Sequence, residues 1–352
     1  MTTPGQYRNH KKKVFDYLRV DEFIKGIIEA RALGTAFELG IIDYLVENQN
    51  CTLDEIKRIF ECEGQGLGLL INLLKANRVV EEYHDEIRLS RKFMKALPYR
   101  DLLIAKLEFV NFVTPDFTEL FTALIRNPDQ FNQNARVFDL FGYNRCYDYS
   151  PGNYDLTKHW VRITTSLTRY EAPVCMEYHD FARHRRILDI GGNSGEFALQ
   201  ICRKYSGISA TVFDLPLVCD IGKEHVRSEP EAGRITFVKG NALKDILPKG
   251  FDLVIFKSML HDWPEREAKQ LIVSAAQSLI PGGTLLIFER GPLDLGERTT
   301  PYSILPFLLF FRSFRSPLMY EDQLMESGFQ DIKVQKIDLA MPFFLVTAIK
   351  KI

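Results

Sequence analysis

Residues 187–197 read ILDIGGNSGEF, and this stretch decides the fold of the C-terminal half of the chain. The apolar residues that precede Asp189 predict a buried strand, and the residues after Gly195 predict a helix. Gly191 and Gly192 follow the strand directly, so that a ligand could approach the bare backbone of the turn closely. The stretch therefore predicts a small-molecule site between a strand and a helix.

Strand and helix patterns alternate from residue 185 onward. The predicted strands are RRILDI, ISATVFDL, ITFVKG, FDLVIFKSML and GTLLIFER, with helical patterns such as GEFALQICRKY and PEREAKQLIVSAAQSLI in between. Nearly continuous apolar strands of this kind predict a parallel sheet covered by helices on both faces, which is an α/β fold. The last two strand patterns, IKVQKID and PFFLVTAIK, are expected to close the sheet as a hairpin-like edge.

The first hundred residues predict helices followed by a small hairpin. Apolar residues recur at helical spacing over residues 21–48, and Thr52 with Glu55 forms a capping-box signal for the next helix. A further helix and two short strands, at 79–83 and 87–90, complete the element order of a winged helix.

The helix that would read DNA in such a module, residues 66–77, is almost uncharged. A helix that enters the major groove needs several long polar side chains, so we expect this one to be buried and expect no nucleic-acid partner. Aromatic residues are frequent over the helical segment that follows. The chain is therefore divided into a winged-helix-like dimerisation domain at 1–100, a helical substrate-lining region at 101–180 and a ligand-binding α/β domain at 181–352.

Bulk composition predicts an ordinary cytoplasmic protein. The 352 residues carry a formal net charge of −1, which gives no global attraction to nucleic acid or to an anionic membrane. The six cysteines form no C-x-x-C pair, so neither a zinc site nor a disulfide framework is expected. No apolar stretch reaches the length of a membrane span and the N-terminus lacks an apolar signal sequence, so we expect no membrane partner.

The glycine turn could serve several cofactors, and the residues around it discriminate between them. A dinucleotide site needs G-x-G-x-x-G, which fails when counted from Gly191 or from Gly192, and the Gly-Lys-Ser/Thr ending of a P-loop is absent. S-adenosylmethionine (SAM) has no phosphate. Asp189 can neutralise its positive charge, and Asp214, at the end of the next strand, can accept both ribose hydroxyls. The residues thus favour SAM.

The ordered motifs ILDIGGNSGEF, VFDLPLV, FVKGN, FKSMLHDWPEREAKQLI and IPGGTLLIFER resemble those of SAM-dependent small-molecule O-methyltransferases. This dimeric family includes plant caffeic-acid O-methyltransferases and bacterial polyketide and phenazine methyltransferases, and the resemblance covers nearly the whole chain. It implies a class I, Rossmann-like SAM domain behind a winged-helix-like dimerisation domain. It also implies a homodimer that methylates a hydroxyl of an aromatic small molecule.

The resemblance assigns the cofactor site residue by residue, with two departures. The usual triple glycine is interrupted by Asn193, and the usual Gly-Asp pair after the third strand is Gly240–Asn241 here. The residues expected to bind SAM are Asp189, Gly191, Gly192, Gly195, Asp214, Leu215, Gly240, Asn241, Ala242 and Lys257.

His261 of the LHDW motif is the expected general base, since its family counterpart takes the proton from the substrate hydroxyl. An imidazole with an ordinary pKa near 6.5 can accept a proton at neutral pH. Glu289, at the end of the fifth strand, matches the acid that orients this histidine in plant members. The second acid of those members falls at or near Phe314, so it is missing here.

The resemblance also implies an acceptor pocket, since the stretch around Trp160 and Ile163 matches the pocket-lining helix of the family, while Met259, Phe307 and Phe311 follow or flank strand ends. The residues expected to contact the substrate are Trp160, Ile163, Met259, Asp262, Phe307 and Phe311. For Asp262, capping of the following helix is an equally good interpretation. Two other functions stay open: a SAM-binding relative with repurposed chemistry, such as C-methylation, hydroxylation or decarboxylation, and, less favoured, a DNA-binding regulator.

Overall fold

Helices and a small sheet form the N-terminal region of the computed structural model, which describes residues 15–293, 302–310 and 313–351. The helices are α1 (Ile27–Glu38), α2 (Ile41–Asn48), α3 (Leu53–Ile59), α4 (Gly64–Ala76) and α5 (Arg91–Met94). The antiparallel sheet, in the order β1-β3-β2, consists of β1 (Cys51–Thr52), β2 (Val80–Tyr83) and β3 (Glu86–Leu89). The predicted hairpin is thus confirmed to within one residue.

Local signals explain where these helices begin and end. The Thr52 hydroxyl accepts from the Glu55 amide and the Glu55 carboxylate accepts from the Thr52 amide, which confirms the predicted capping box of α3. The periodic stretch 21–48 is divided between α1 and α2, because Gly40 adopts a left-handed φ of +80°.

Two long helices dominate the middle of the chain. They are α6 (Arg100–Arg126) and α8 (Pro151–Tyr178), separated by the short α7 (Pro128–Asn134) and by 3-10 turns at Arg136–Phe141 and Tyr143–Tyr147. Helix α8 packs against α6 on one side and against the C-terminal domain on the other. It is therefore the element through which the helical region meets the sheet.

The C-terminal half is built on a seven-stranded sheet in the order β6-β5-β4-β7-β8-β10-β9. Strands β4 to β8 are mutually parallel, whereas β10 runs antiparallel to both of its neighbours. The closing hairpin-like edge is confirmed. The strands are β4 (Arg186–Ile190), β5 (Ser209–Asp214), β6 (Ile235–Lys239), β7 (Phe251–Lys257), β8 (Leu279–Arg290), β9 (Phe329–Asp338) and β10 (Pro342–Lys350).

Apolar side chains cover both faces of this sheet. Ile187 and Ile255 enter one core with residues of α8 and α9, whereas their neighbours Leu188 and Val254 enter a second core with residues of α11 and α13. Successive strand residues point to opposite faces, so burial of both faces requires the uninterrupted apolar runs seen in the sequence. The covering helices are α9 (Glu196–Lys204), α10 (Pro216–Val226), α11 (Glu265–Ser278) and α13 (Pro317–Glu326), whereas the short α12 (Leu305–Leu308) packs against α6.

The parallel strands end at one edge of the sheet, and this edge positions the site. Asp189 lies near the end of β4, Asp214 ends β5, Lys257 ends β7 and Glu289 lies near the end of β8. Ligands of open parallel sheets bind beyond these carboxyl ends. Within the described ranges, no helix is both long enough and apolar enough to cross a membrane.

Candidate active site

A cavity of about 340 Å³ opens at the carboxyl edge of the sheet, and we call it the main cavity. Side chains of α8, the strand ends and the segment 306–314 form its walls. The sequence-predicted residues that line it are Trp160, Asp189, Gly191, Gly192, Asp214, Leu215, Gly240, Asn241, Ala242, Lys257, Met259, His261, Asp262 and Phe307.

Three other predicted site residues, Ile163, Gly195 and Glu289, do not belong to that lining. Ile163 lines a much smaller neighbouring cavity instead. Gly195 caps α9 with a φ of +74°, and a Cβ there would lie 2.8 Å from the Phe237 ring, so it serves packing of the turn. Glu289 acts from behind His261, as described below. Phe311 lies outside the described residues.

The first two glycines of the turn are required by crowding at the cavity wall. Gly191 has a φ of +67°, and a Cβ on it would lie 2.6 Å from the Met259 side chain. A Cβ on Gly192 would lie 2.7 Å from the Asp189 carboxyl carbon. Any side chain at either position would displace a residue of the cavity wall.

Asp189 is a buried carboxyl group whose two oxygens have no hydrogen-bond partner within the part of the chain that the structure describes. Burial, reinforced by the negative charge of Asp214, raises the pKa of Asp189 to about 7, although Lys257 opposes the shift. A buried, unpartnered acid is costly, so a cationic ligand group in the cavity would complete this site. The geometry therefore fits the expected ammonium group of SAM.

Asp214 is held in place by the backbone. Its Oδ2 accepts from the Asn193 amide at 2.8 Å and its Oδ1 accepts from the Leu215 amide at 2.7 Å. Burial raises the pKa of Asp214 to about 6, although these two amides favour the ionised form. Each oxygen retains a further lone pair, so the carboxylate can still accept from a ligand diol.

Asn241 uses its side chain in a local turn. The side-chain Oδ1 of Asn241 accepts from the backbone amide of Leu243 at 2.9 Å, and the backbone amide of Asn241 donates to the Asp245 carboxylate at 2.7 Å. The amide oxygen at this position is therefore engaged with the protein, in a loop whose residues line the main cavity.

Lys257 joins the sheet to helix α8 at the cavity wall. Its ammonium donates to Thr168 at 2.9 Å and to Glu171, whose other oxygen accepts from Arg290 at 2.7 Å. Burial alone would raise the pKa of Glu171, but Arg290 and Lys257 outweigh it and hold that pKa below its usual range. The three charges form one buried network beside the cavity.

His261 lies in a 3-10 turn, Leu260–Asp262, that directly follows β7, and Glu289 orients it. The Nδ1 atom lies 2.6 Å from Glu289 Oε1, while the other carboxylate oxygen accepts from the Met259 and Leu260 amides at 3.0 Å each. Burial alone would lower the pKa of His261, but the carboxylates of Glu289 and Asp262 outweigh it, so that pKa lies above its ordinary value. With Nδ1 bonded to Glu289, the neutral ring carries its lone pair on Nε2.

Aromatic rings enclose the histidine. The ring centroids of Phe310 and Phe314 lie 5.8 Å and 5.2 Å from that of His261, both edge-on. Phe314 thus lies next to His261, and the sequence comparison placed the second acid of the plant enzymes at or near this position. A phenyl ring cannot polarise the imidazole, so Glu289 is left as its main ionic partner.

Asp262 is held by a tyrosine that sequence reasoning missed. The Tyr143 hydroxyl donates to Asp262 Oδ2 at 2.7 Å, and Asp262 Oδ1 lies 3.3 Å from His261 Nε2. The N-cap of α11 is Pro264, so the capping interpretation of Asp262 is wrong. The sequence separation of 119 between Tyr143 and Asp262 explains why no local pattern revealed the contact.

Helix α8 supplies cavity residues that the sequence did signal. Trp160, Thr164 and Thr168 all line the main cavity and are spaced four residues apart, which places them on one face of the helix. The prediction included Trp160 but, one turn further on, named Ile163 and not its neighbour Thr164.

Together these features define a class of protein: an α/β domain with an acid-lined glycine turn for a cationic cofactor and a carboxylate-oriented histidine in an aromatic cavity. The O-methyltransferase domain family matches residues 123–330, more than half of the chain, and the protein belongs to this family.

Two curated relatives share segments of this chain. The 3-hydroxy-5-methyl-1-naphthoate 3-O-methyltransferase of Streptomyces sahachiroi is 36% identical over 122 residues, 33% of this chain and 35% of that protein. Acetylserotonin O-methyltransferase of Gallus gallus is 30% identical over 164 residues, 45% of this chain and 46% of that protein. The matched segments thus span about a third to a half of these relatives.

Similarity over the full length is weaker but extends to solved structures. The N,N-dimethyltransferase OxyT of Streptomyces rimosus is 24% identical over 92% of this chain and 93% of its own. Human N-acetylserotonin methyltransferase in complex with SAM has a TM-score of 0.73 at 20% identity, covering 97% of this chain and 100% of that one. PigF with S-adenosylhomocysteine (SAH) has a TM-score of 0.71 at 22% identity, covering 92% and 96%. These structural matches establish the shared fold.

Proposed function

We propose that the protein transfers a methyl group from SAM to a hydroxyl group of an aromatic small molecule. Family membership supports the reaction type, and the acid-lined glycine turn supports the cofactor. The observation that carries the proposal is the pair His261–Glu289, with a 2.6 Å contact at Nδ1, in the wall of the main cavity.

His261 would serve as the general base. The Glu289 carboxylate fixes Nδ1 as the protonated nitrogen, so Nε2 can take the proton of an acceptor hydroxyl. Glu289 also stabilises the imidazolium that results, as a buried carboxylate does behind other catalytic histidines. The phenolic oxygen then becomes a stronger nucleophile at the place where it must attack.

SAM, when bound, supplies a methyl group on a cationic sulfur. We propose that Asp189 holds its ammonium group and Asp214 its ribose, with Gly191 and Gly192 giving access to the backbone. Fixing donor and acceptor in line can account for roughly 7–11 kcal/mol of the barrier to such a displacement. The glycine turn thus contributes by binding SAM and by orienting it toward the acceptor.

An aromatic acceptor is supported by the walls of the cavity. Phe109, Trp160, Met259, Phe307 and Phe310 present apolar surface around His261. Pockets of this composition bind planar apolar molecules and exclude water. The names of two relatives, which specify a hydroxynaphthoate and acetylserotonin, support the same acceptor class.

The test is methyl transfer from isotopically labelled SAM to a panel of hydroxylated aromatic compounds. We expect His261→Ala to reduce transfer by about 10²–10⁴-fold, the usual contribution of a general base, while SAH binding measured by calorimetry is retained. His159→Ala, on α8 but outside the main cavity, is the matched control. Undiminished transfer by His261→Ala would remove this histidine as the base, and failure of the wild type to bind SAH would overturn the proposal.

A further inference from the structure

Asn193 stands where the family usually has the third glycine of the turn, and its side chain has a use in this protein. Its φ is +55°, in the left-handed region that asparagine tolerates better than most residues. The turn therefore keeps its shape while gaining an amide group, and Asn193 lines the main cavity.

The side chain of Asn193 connects the turn to helix α8. Its Oδ1 accepts from the Ser194 amide at 2.8 Å, which identifies this atom as the oxygen, and lies 3.1 Å from the Thr164 hydroxyl. Beside this contact, the hydroxyls of Thr165 and Ser194 lie 2.7 Å apart. Two successive residues of the turn thus bond to two successive residues of the helix.

One end of this connection lies at the proposed cofactor site and the other lies on the face of α8 that lines the main cavity. The backbone amide of Asn193 donates to Asp214, the proposed ribose ligand, at 2.8 Å. Thr164 lies on the same face of α8 as Trp160 and Thr168, and this face lines the main cavity. A glycine at position 193 would leave the backbone contact intact and would remove the contact with Thr164, while the contact between Thr165 and Ser194 would remain.

We propose that Asn193 is a positioning residue that holds the acceptor-lining face of α8 at a fixed distance from the cofactor turn. The proposal rests on the proposed function, because it assigns the two sides of the link to cofactor and acceptor. Asn193 acts through Thr164 on the placement of the acceptor ring, and methyl transfer depends on that placement because donor and acceptor must be aligned.

The Thr164 hydroxyl has competing acceptors within its own helix. The carbonyl oxygens of Trp160 and Val161 lie 3.2 Å and 3.0 Å from it, and a hydroxyl has only one proton to donate. If the Thr164 hydroxyl donated to a carbonyl of its own helix and not to Asn193, then Asn193 would have no influence on the position of the acceptor. Substitutions at both ends of the link separate the two roles.

The experiment is a double-mutant cycle with Asn193→Gly, Thr164→Val and the combined variant. Because one hydrogen bond is shared, each single variant is expected to lower kcat/KM for the acceptor by about threefold to tenfold at saturating SAM. The combined variant should lose no more than the more severe single variant. Thr164→Ser, which keeps the hydroxyl, should restore the wild-type value, and Thr164→Val should leave the Kd for SAH within about twofold.

Ser166→Ala is the matched control, since the Ser166 hydroxyl donates to the Arg162 carbonyl of the same helix and lies outside the link between Asn193 and Thr164. Multiplicative losses in the combined variant, or no loss in Asn193→Gly, would overturn the positioning role. A wild type that binds no SAH and transfers no methyl group would instead overturn the proposed function, so the two failures can be told apart.

Discussion

Glu289 controls the proton affinity of His261. Because the pKa of His261 is raised, the neutral base forms only as the pH rises through that value, and the acid limb of kcat/KM should lie above the ordinary 6.5 of histidine. Glu289→Gln removes the nearer of the two carboxylate charges beside His261, so the limb should move to lower pH while kcat falls because the imidazolium is less stabilised. The pH profile of methyl transfer measures both effects.

Glu265→Gln, an exposed acid in the first turn of α11, should leave the profile of the wild type unchanged. An acid limb of Glu289→Gln at or above the wild-type position would contradict the assignment of Glu289 as the orienting acid.

Asp189 should make cofactor binding depend on pH. Its pKa of about 7 belongs to the free protein, and a bound ammonium group favours the ionised carboxylate, so binding lowers this pKa and releases a proton. The affinity for SAH should therefore fall as the pH is lowered below about 7. Calorimetry in buffers of different ionisation enthalpy should detect the released proton near pH 6.

The variant Asp189→Asn tests whether Asp189 causes this pH dependence. It should bind SAH more weakly and lose the part of the pH dependence that lies near 7. A variant whose affinity still rises between pH 6 and pH 8 as in the wild type would show that another group is responsible.

Single residues were predictable where their role follows from a local pattern. Asp189, Gly191, Gly192 and His261 lie next to strand ends, and strand ends meet at one edge of a parallel sheet. The Tyr143 contact with Asp262 depends on tertiary packing over a long sequence separation, which no periodicity encodes.

The helices and strands themselves followed from the sequence wherever a local signal was strong. The capping box at Thr52 begins α3 as expected, and the hairpin of β2 and β3 is displaced by only one residue. Over 21–48, in contrast, the apolar period continues through Gly40, whose left-handed conformation separates α1 from α2. The apolar period reports which residues are buried, so it does not reveal a break between two helices when the spacing of buried residues continues across the break.

Helix α8 shows why a helical region can be predicted while only some of its cavity-lining residues are identified. Its 28 residues contain wide apolar and aromatic faces, because the helix is packed between α6 and the sheet domain. A helix buried on several sides gives no single stripe that identifies the ligand side. The sequence therefore predicted Trp160 as a cavity residue but did not predict Thr164, one turn later.

The order of strands in the sheet required information from the whole molecule. The sequence established parallel strands and a closing hairpin, but β4 pairs with both β5 and β7, and β7 follows β6 along the chain. That crossover places the glycine turn beside the strand that leads to His261. The site thus depends on pairing between strands that are distant in sequence.

We propose a homodimer through the N-terminal region, where α1 and α4 pack together. Ile28 on α1 is 61% exposed and Leu69 on α4 is 62% exposed, and packing against a second copy would remove this apolar surface from water. Light scattering after size-exclusion chromatography should give twice the 40.7 kDa of one chain. Ile28→Glu combined with Leu69→Glu should shift the mass to that of a monomer.

Ile246→Glu, at a side chain that is 89% exposed in a loop of the sheet domain, is the control and should stay dimeric. A wild type that elutes as a monomer at micromolar concentration would contradict this assembly. A cytoplasmic location stays a prediction of the composition.

The bonds between α8 and the sheet domain bear on how such proteins can be recombined. The boundary predicted at residue 180 would be an obvious crossover point for exchanging acceptor preference between relatives. Thr164, Thr165 and Glu171 bond across it to the cofactor turn and to the strand ends. A chimaera joined there would inherit two half-sites from different parents, so the helix and the turn have to be transplanted together.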